Sequence, residues 1–416
     1  MREAFEKALR ENPDDLTGWS AYADYLTEQG DPRGEFIAVQ LALEDETRSK
    51  EERDELKRRE AELLAAHERE WLGEFAPYLL GDESYSEYAT VPADRRWRHR
   101  FLSSVTVPYL TRASAQALAA TPSANFLREL WVSGTSGYFG TAGDGQPPPR
   151  VPTPPGSGEH WELFELIGSP CLDSLRMFRM GDVDGEPPED GWADCHTYTG
   201  ELFPIVASMP RVEELHLLCK GYDPRPLFAL PNMTRLRVLR VYHLGEYSDW
   251  WGDRGGRYEY PLDILAANPA LGSLTHLLFH PHFVQGEGDD GRSLSFLPLD
   301  QVRALVRSPH LPGLTHLQLR LSNMGDEGVR EIVASGILKR LKWLDLRHGC
   351  VTDDGARVFA ACPDAKNLDR LDLSRNAVTP TGLAVLRAAR VNAVANNPLT
   401  EQELADEQYL REGDFE

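Results

Sequence analysis

The chain is poor in cysteine and has no long apolar run. Five cysteines occur among 416 residues, an odd number, and no two of them have C-x-x-C spacing. This scatter argues against the disulfide framework of a secreted protein and against a structural zinc site. No run of about 18 apolar residues occurs, and the first residues are amphipathic, so neither a membrane span nor a signal peptide is predicted. We therefore expect a cytoplasmic protein.

Basic residues are scarce relative to acidic ones. Lysine and arginine total 44, whereas aspartate and glutamate total 66, which gives a formal net charge of −22. Such a surplus of negative charge disfavours nucleic acid and anionic membranes as partners. If the chain binds a charged partner, a basic one is favoured.

The common catalytic and cofactor motifs are missing. The sequence has no Walker A motif and no G-x-S-x-G, and Trp71 stands where the H-E-x-x-H pattern begun at His67 needs its second histidine. Residues 286–291 match G-x-G-x-x-G, but three acids there would repel a pyrophosphate. We predict no catalytic residue, no cofactor, no metal ligand and no small-molecule ligand. An enzyme site in the loops around Asp194, Cys195 and His196 stays open as an alternative.

What the chain does contain is a repeated pattern, L-x-x-L-x-L. Its clearest copies begin at Leu314, Leu341 and Leu368, at equal intervals of 27 residues. A turn, a glycine and an amphipathic helical pattern follow each copy, which predicts one strand and one helix per turn of a solenoid. Weaker copies begin at Leu102, Leu127, Leu175, Val212, Leu236 and Leu274.

Two stretches, LKWLDLRHGCVTDDGARVF and LDRLDLSRNAVTPTGLAVL, resemble the leucine-rich-repeat family in its longer, ribonuclease-inhibitor-like form. The resemblance implies a bacterial α/β protein whose repeats form a horseshoe, with parallel β-strands on the concave face and helices outside. We expect this leucine-rich-repeat solenoid over residues 101–416, preceded by a small all-α N-terminal domain.

The N-terminal segment differs in composition from the repeats. The stretch ENPDDLTGWSAYADYLTEQGDPRGEFIAVQLALE resembles a small bacterial repeat-companion domain, which accompanies repeats and has no settled biochemical activity. Its apolar spacing predicts helices over residues 1–45. Residues 46–100 are expected to form a helical connector and the N-terminal cap of the array. Whether the helices only cap the array or also bind a second protein stays open.

Within each repeat, positions 3, 5 and 7 are expected to point into the concave space because side chains alternate along a strand. These positions are rich in arginine, histidine and aromatic residues, which are enriched at the centres of protein interfaces. The predicted concave binding residues are Trp131, Arg179, His216, Arg240, Tyr242, His276, His280, His316, Arg320, Trp343, Asp345, Arg347 and Arg370.

Three histidines of this set fall close together. His276 and His316 occupy position 3 of consecutive turns, and His280 lies on the same strand as His276. The pattern leaves three roles open, namely metal binding, titration at about pH 6.5, and polar recognition.

Long insertions follow several strands, near residues 134–160, 181–200, 245–260 and 283–296. They are rich in glycine, proline and acid, yet they carry aromatic rings, and aromatic residues on loops over a rigid frame favour recognition. The predicted rim-loop binding residues are Tyr138, Trp192, Trp250, Trp251 and Tyr258. The alternative is that these rings fold back as the cores of their own loops.

The combined expectation is a non-enzymatic scaffold or adaptor that recognises a protein partner through its concave strands and aromatic rim. A regulator that sequesters a basic enzyme, such as a nuclease, is the main alternative because of the net charge of −22.

Overall fold

A computed structural model describes most of the chain in two compact units. The described residues are 1–81, 92–135, 162–181, 197, 199, 202–219, 222–241, 261–279 and 297–405. The first unit contains the described residues up to 135 together with 162–176 and 208–211. The second unit contains the other described residues.

The first unit opens with five α-helices. They are α1 (Arg2–Glu11), α2 (Leu16–Glu28), α3 (Arg33–Leu43), α4 (Lys50–Leu72) and α5 (Ala76–Leu79). The Asp15 side chain starts α2 by accepting a hydrogen bond from the Gly18 amide at 3.0 Å. Ser49 and Glu52 form a capping box at the start of α4. Both caps satisfy amide groups that have no partner within the helix.

Three strands and a further helix complete the main elements of this unit. They are β1 (Asp94–Arg98), β2 (Phe101–Leu110), α6 (Arg112–Ala120) and β3 (Glu129–Thr135). Its 3-10 turns are Gly73–Phe75, Pro122–Ala124, Glu162–Leu166 and Pro170–Leu172. Strand β1 pairs antiparallel with β2, and β2 pairs parallel with β3.

Strand β1 departs from the helical structure predicted up to residue 100. The nitrogens Arg95 Nε and Trp97 Nε1 both donate to Glu68 Oε1 at 2.8 Å, which ties the strand to α4. Since β1 lies along the outer edge of β2, it also covers an edge that would otherwise present unpaired backbone groups. A short stretch, DRRWR, with one tryptophan among three arginines carries too weak an apolar signal to reveal this strand.

The turn between β1 and β2 is buried. His99 and Arg100 adopt positive φ angles of 49° and 71°, although neither is glycine, and they are 1% and 2% exposed. Burial lowers the pKa of Arg100 to about 10, against the opposing effect of Tyr22 and Glu6. The guanidinium donates to Tyr22 Oη at 3.1 Å. These contacts hold a conformation that would be costly in solvent.

The N-terminal helices share one core with the first strands. Trp19 of α2 packs against Phe101 of β2 and against Phe126, with ring centroids 5.8 and 5.5 Å apart. The Phe101 and Phe126 rings are 4.0 Å apart. Residues 1–45 therefore bury their apolar face against the beginning of the strand array, within the same unit.

The second unit contains eight strands in chain order, each parallel to the next. They are β4 (Met177–Gly181), β5 (Glu214–Leu218), β6 (Val238–Val241), β7 (His276–Phe279), β8 (His316–Leu319), β9 (Trp343–Asp345), β10 (Arg370–Asp372) and β11 (Ala393–Val394). The central apolar residues lie in register, for example Leu277 opposite Leu317, and Leu317 opposite Leu344. All three are 0% exposed, so they form a continuous buried row.

Helical segments connect successive strands, and one further helix follows the last strand. The α-helices are α7 (Phe203–Ala207), α8 (Pro224–Phe228), α9 (Leu262–Ala267), α10 (Leu299–Val306), α11 (Gly325–Ser335), α12 (Asp353–Ala361), α13 (Pro380–Ala388) and α14 (Glu401–Ala405). The 3-10 turns are Met233–Arg235, Pro269–Ser273, Ile337–Lys339 and Pro363–Asn367. The predicted alternation of strand and helix is confirmed in the described residues.

The regular turns are joined at their helix N-termini by a repeated set of hydrogen bonds, here called the bracket, in which an aspartate of one helix accepts from the threonine that starts the next helix. Asp326 Oδ1 accepts from the amides of Thr352 and Gly355 at 2.8 and 3.0 Å, and Oδ2 accepts from Thr352 Oγ1 at 2.7 Å. Asp353 accepts from the Thr379 amide and hydroxyl at 2.8 and 2.7 Å in the next turn. The glycine is needed because a Cβ on Gly355 would lie 2.5 Å from Asp326 Oδ1.

We predict that Gly355→Ala destabilises the second unit by about 1–3 kcal/mol, because the added methyl group must displace the Asp326 carboxylate. The urea midpoint measures the effect. Gly272→Ala is the matched control, since a Cβ there meets nothing within 4 Å, and we expect it to change stability by at most about 0.5 kcal/mol. Equal midpoints for the two variants would show that the bracket tolerates the methyl group.

Candidate functional site

One face of the second unit's sheet is apolar and buried, and the opposite face carries polar and aromatic side chains. Strands β6, β7 and β8 alternate between half-buried and fully buried residues. We call the half-buried side the open face; it corresponds to the predicted concave face. Its predicted binding residues that remain accessible are Arg179, His216, Arg240, His276, His316, Trp343, Arg347 and Arg370.

Four of these residues form a single row across neighbouring strands. His276 lies opposite His316, His316 opposite Trp343, and Trp343 opposite Arg370. The two imidazole rings stack with centroids 4.0 Å apart and planes inclined by 14°. The His316 and Trp343 ring centroids are 6.4 Å apart. The parallel register thus brings together rings that are 27 and 40 residues apart in sequence.

A threonine holds each of the stacked histidines. Thr275 Oγ1 lies 2.9 Å from His276 Nδ1, and Thr315 Oγ1 lies 2.9 Å from His316 Nδ1. The pattern that produces this arrangement is visible in the sequence, because LTHL occurs at 274–277 and again at 314–317. Reasoning from alternation alone singled out the histidines and missed the threonines.

Burial keeps the histidines of the open face neutral. It lowers the pKa of His276, and repulsion from His316 and Arg237 adds to the effect. Burial also lowers the pKa of His316, against the attraction of Asp369. His216 behaves similarly, since burial lowers its pKa despite a Glu214 carboxylate 3.3 Å away. At neutral pH the row therefore presents uncharged imidazoles.

Two predicted binding residues are not accessible. Asp345 is 0% exposed, because Arg347 lies over its carboxylate, with Nη2 2.6 Å from Oδ2. Arg320 is 2% exposed, because β8 ends at Leu319 and the chain turns at Leu321, where φ is 54°. The prediction that Arg320 faces the open side is wrong, because the strand, and with it the alternation of side chains, ends at Leu319. Neither residue contributes accessible surface.

A second acid and arginine pair lies one turn further on. Arg370 Nη2 donates to Asp372 Oδ2 at 2.7 Å. Burial would raise the pKa of Asp372, but hydrogen bonds from Arg370 and Ser374 outweigh burial and lower it. The ionised Asp372 carboxylate thus holds the Arg370 guanidinium in place, while the Arg370 side chain remains exposed.

The other predicted residues lie elsewhere. Trp131 is half-buried on β3 of the first unit. The following predictions fall outside the described residues: Tyr242, His280, Tyr138, Trp192, Trp250, Trp251, Tyr258, the greater part of the four insertions, and the alternative enzyme site at Asp194, Cys195 and His196.

In the described part of the chain, no three histidine, cysteine, aspartate or glutamate side chains are grouped so that they could hold a metal ion. No described helix is both long enough and apolar enough to cross a bilayer. Among the described cysteines, Cys171 and Cys362 are buried free thiols.

The fold places the chain in the class of solenoids in which each turn supplies one parallel strand and one helical segment. Residues 310–333, 341–360 and 365–386 match the leucine-rich repeat family. These residues therefore carry leucine-rich repeats, as the sequence predicted. Comparison with curated proteins gives no match.

Several solved structures are similar. A Bacteroides fragilis protein is 18% identical with a TM-score of 0.41, over 68% of this chain and 69% of its own. A Leptospira interrogans leucine-rich-repeat protein is 14% identical with a TM-score of 0.25, over 68% of both chains. The plant peptide hormone receptor RGFR1, in complex with RGF2, is 13% identical with a TM-score of 0.28, over 56% of this chain and 30% of the receptor. The fold assignment rests on the strand geometry and the matched repeats.

We predict that Arg347→Ala destabilises the protein by about 3–5 kcal/mol, because it leaves the buried Asp345 carboxylate without its cation. Arg225→Ala is the matched control. Arg225 pairs with Asp223 at the same two-residue spacing, with Nη2 2.8 Å from Oδ2, but its side chain is 70% exposed. Exposed pairs contribute at most about 1 kcal/mol. Urea unfolding of both variants measures the difference, and similar midpoints would contradict a structural role for Arg347.

Proposed function

We propose that this protein binds a protein partner through the open face of its strands and performs no catalytic step. The observation that carries the proposal is the row of His276, His316, Trp343 and Arg370, which stays accessible while the alternating positions are fully buried. Tryptophan and arginine are enriched among residues that dominate binding energy. The proposal includes the predicted cytoplasmic location and the aromatic rim, and requires no cofactor.

The support for binding comes from rigidity as well as composition. Each strand of the row is fixed by parallel hydrogen bonding on both sides and by a buried leucine next to each displayed side chain. A surface that is already ordered loses little conformational freedom when a partner docks. The same frame places the rings of successive turns in register, so a partner can contact several at once.

Within this proposal the N-terminal helices act as a cap. Their shared core with Phe101 and Phe126, and the burial of Arg100 among them, support this role. A helical layer of this kind hides the apolar end that an open repeat array would expose. An adaptor role, in which the helices also bind a second protein, would use their outer surface.

We expect the double variant His316→Ala/Trp343→Ala to lose a partner captured by the wild-type protein from a lysate of the source organism. Removal of two central rings should weaken binding by about tenfold or more. Arg330→Ala/Arg357→Ala is the matched control, because both arginines lie on helices with side chains about half exposed, at 52% and 54%. Equal retention of the partner by both double variants would move the binding site away from the open face.

Sequestration of a basic enzyme is the second candidate function, and the net charge of −22 favours it. Attraction between opposite charges is screened within about 8–10 Å at physiological salt. We therefore expect that the association rate of the captured partner falls steeply as salt is raised, as stopped-flow mixing would measure. A rate that is indifferent to salt would argue for an uncharged or mixed interface and against this candidate.

A further inference from the structure

Three arginines of the first unit surround one aspartate in the turn between α1 and α2. Asp14 Oδ1 lies 2.9 Å from Arg128 Nη2 and 3.6 Å from Arg98 Nη1, and Oδ2 lies 3.9 Å from Arg176 Nη2. The hydrogen bond from Arg128 lowers the pKa of Asp14, and the attraction of Arg98 and Arg176 adds to the effect. Because its side chain is 59% exposed, this carboxylate can leave the arginines without disturbing the core.

The backbone determines where these arginines lie. Arg128 and Arg176 each follow the leucine that begins a repeat. The Arg128 amide donates to the Ser103 carbonyl at 2.9 Å, and the Arg176 amide donates to the Arg128 carbonyl at 2.8 Å. Strands joined in this way are about 4.8 Å apart. Arg98 comes from the end of β1. The fold thus holds three cations around one place in a chain whose net charge is −22.

Asp14 leaves most of the donors of Arg98 and Arg128 unused. A guanidinium group has five N–H donors. Among the described residues, Arg128 donates one hydrogen bond to Asp14, and Arg98 donates one to Glu44 Oε1 at 3.3 Å. The Arg128 and Arg98 side chains are 23% and 34% exposed, so an incoming anion can reach the remaining donors.

A pocket lies against these two arginines. Arg98 and Arg128 line it together with the rings of Trp19, His99 and Phe126. Burial lowers the pKa of His99 to about 4, so this ring is uncharged at neutral pH. The empty space is about 250 Å³, part of it open to solvent. Sites for small molecules and cofactors have about 300–1,000 Å³. The pocket therefore suits one anionic side chain or chain end better than a whole cofactor.

We propose that this arginine pocket binds a carboxylate from an acidic segment of a partner protein, and that Asp14 occupies the arginines until the partner docks. Arg98 and Arg128 donate to the incoming carboxylate through paired N–H groups, the arrangement in which a guanidinium and a carboxylate fit best. A phosphate group is disfavoured because it carries more negative charge, which the neighbouring Glu44 would repel. The arginine pocket lies on the first unit, so it is a second interaction site that does not depend on the open face.

The test is fluorescence anisotropy of a labelled hexaglutamate peptide titrated with the full chain at low salt. We expect saturable binding that falls by about tenfold or more in Arg98→Gln/Arg128→Gln, because two charge-assisted donors are lost. Arg58→Gln/Arg59→Gln is the matched control and should bind as the wild type does. It removes the same charge from the same unit, at two α4 side chains that are 63% and 44% exposed. Circular dichroism checks that each variant is folded.

A gain of affinity tests the role of Asp14. Asp14→Asn keeps the size of the side chain and removes the competing charge, so we expect the probe to bind about three- to tenfold more tightly. Asp54→Asn is the matched control, since it removes one exposed carboxylate from α4 and should leave the affinity unchanged.

Three outcomes overturn the proposal. They are no saturable binding of hexaglutamate, undiminished binding by the folded Arg98→Gln/Arg128→Gln variant, and tighter binding of a labelled hexathymidylate, which would identify phosphate as the ligand. An Asp14→Asn variant that binds no more tightly than the wild type would show that the ligand does not displace Asp14. Because the open face takes no part in this assay, its failure would leave the proposed function standing.

Discussion

Burial of one row of apolar side chains is the constraint on which the second unit depends. Leu277, Leu317 and Leu344 lie opposite one another at the centres of their strands and are completely buried. Because side chains alternate along a strand, burying this row exposes its neighbours on the opposite face. A slip of one residue would bury His316 and Trp343 and expose the leucines, so the same interaction fixes both the core and the open face.

A second set of contacts links the last turns to one another and explains why these turns are more regular in length than the earlier ones. Asp326 and Asp353 each reach the threonine that starts the next helix, and a glycine in that helix lets the carboxylate approach. Asn376 adds a buried connection by accepting from the Gly349 amide at 3.0 Å and donating to the Leu346 carbonyl at 2.8 Å. Such links require turns of equal length. Equal spacing therefore makes the last turns the most recognisable in sequence.

The sequence predicted the strand positions and the row of the open face because both follow from local alternation and a constant repeat length. The buried states of Asp345 and Arg320 were not predictable in the same way. Alternation indicates the face to which a side chain points, whereas its accessibility depends on neighbours such as Arg347 and on where the strand ends. Strand β1 was missed for a related reason, since its pairing with β2 and its bonds to Glu68 are contacts between distant segments.

Two arginines of the open face form ion pairs with acids of the same face. Arg347 is bound to Asp345 and Arg370 to Asp372, so each guanidinium is held in place by an acid two residues away on the same chain. A partner that docks here meets cations whose charge is already compensated and whose side chains are already ordered, which lowers the entropic cost of contact. Under the proposed function, discrimination between partners depends on the rings of His276, His316 and Trp343, whose spacing is set by the strands. If the partner is basic, the net charge of −22 would act on its approach, and the contacts with the rings on how long it stays bound.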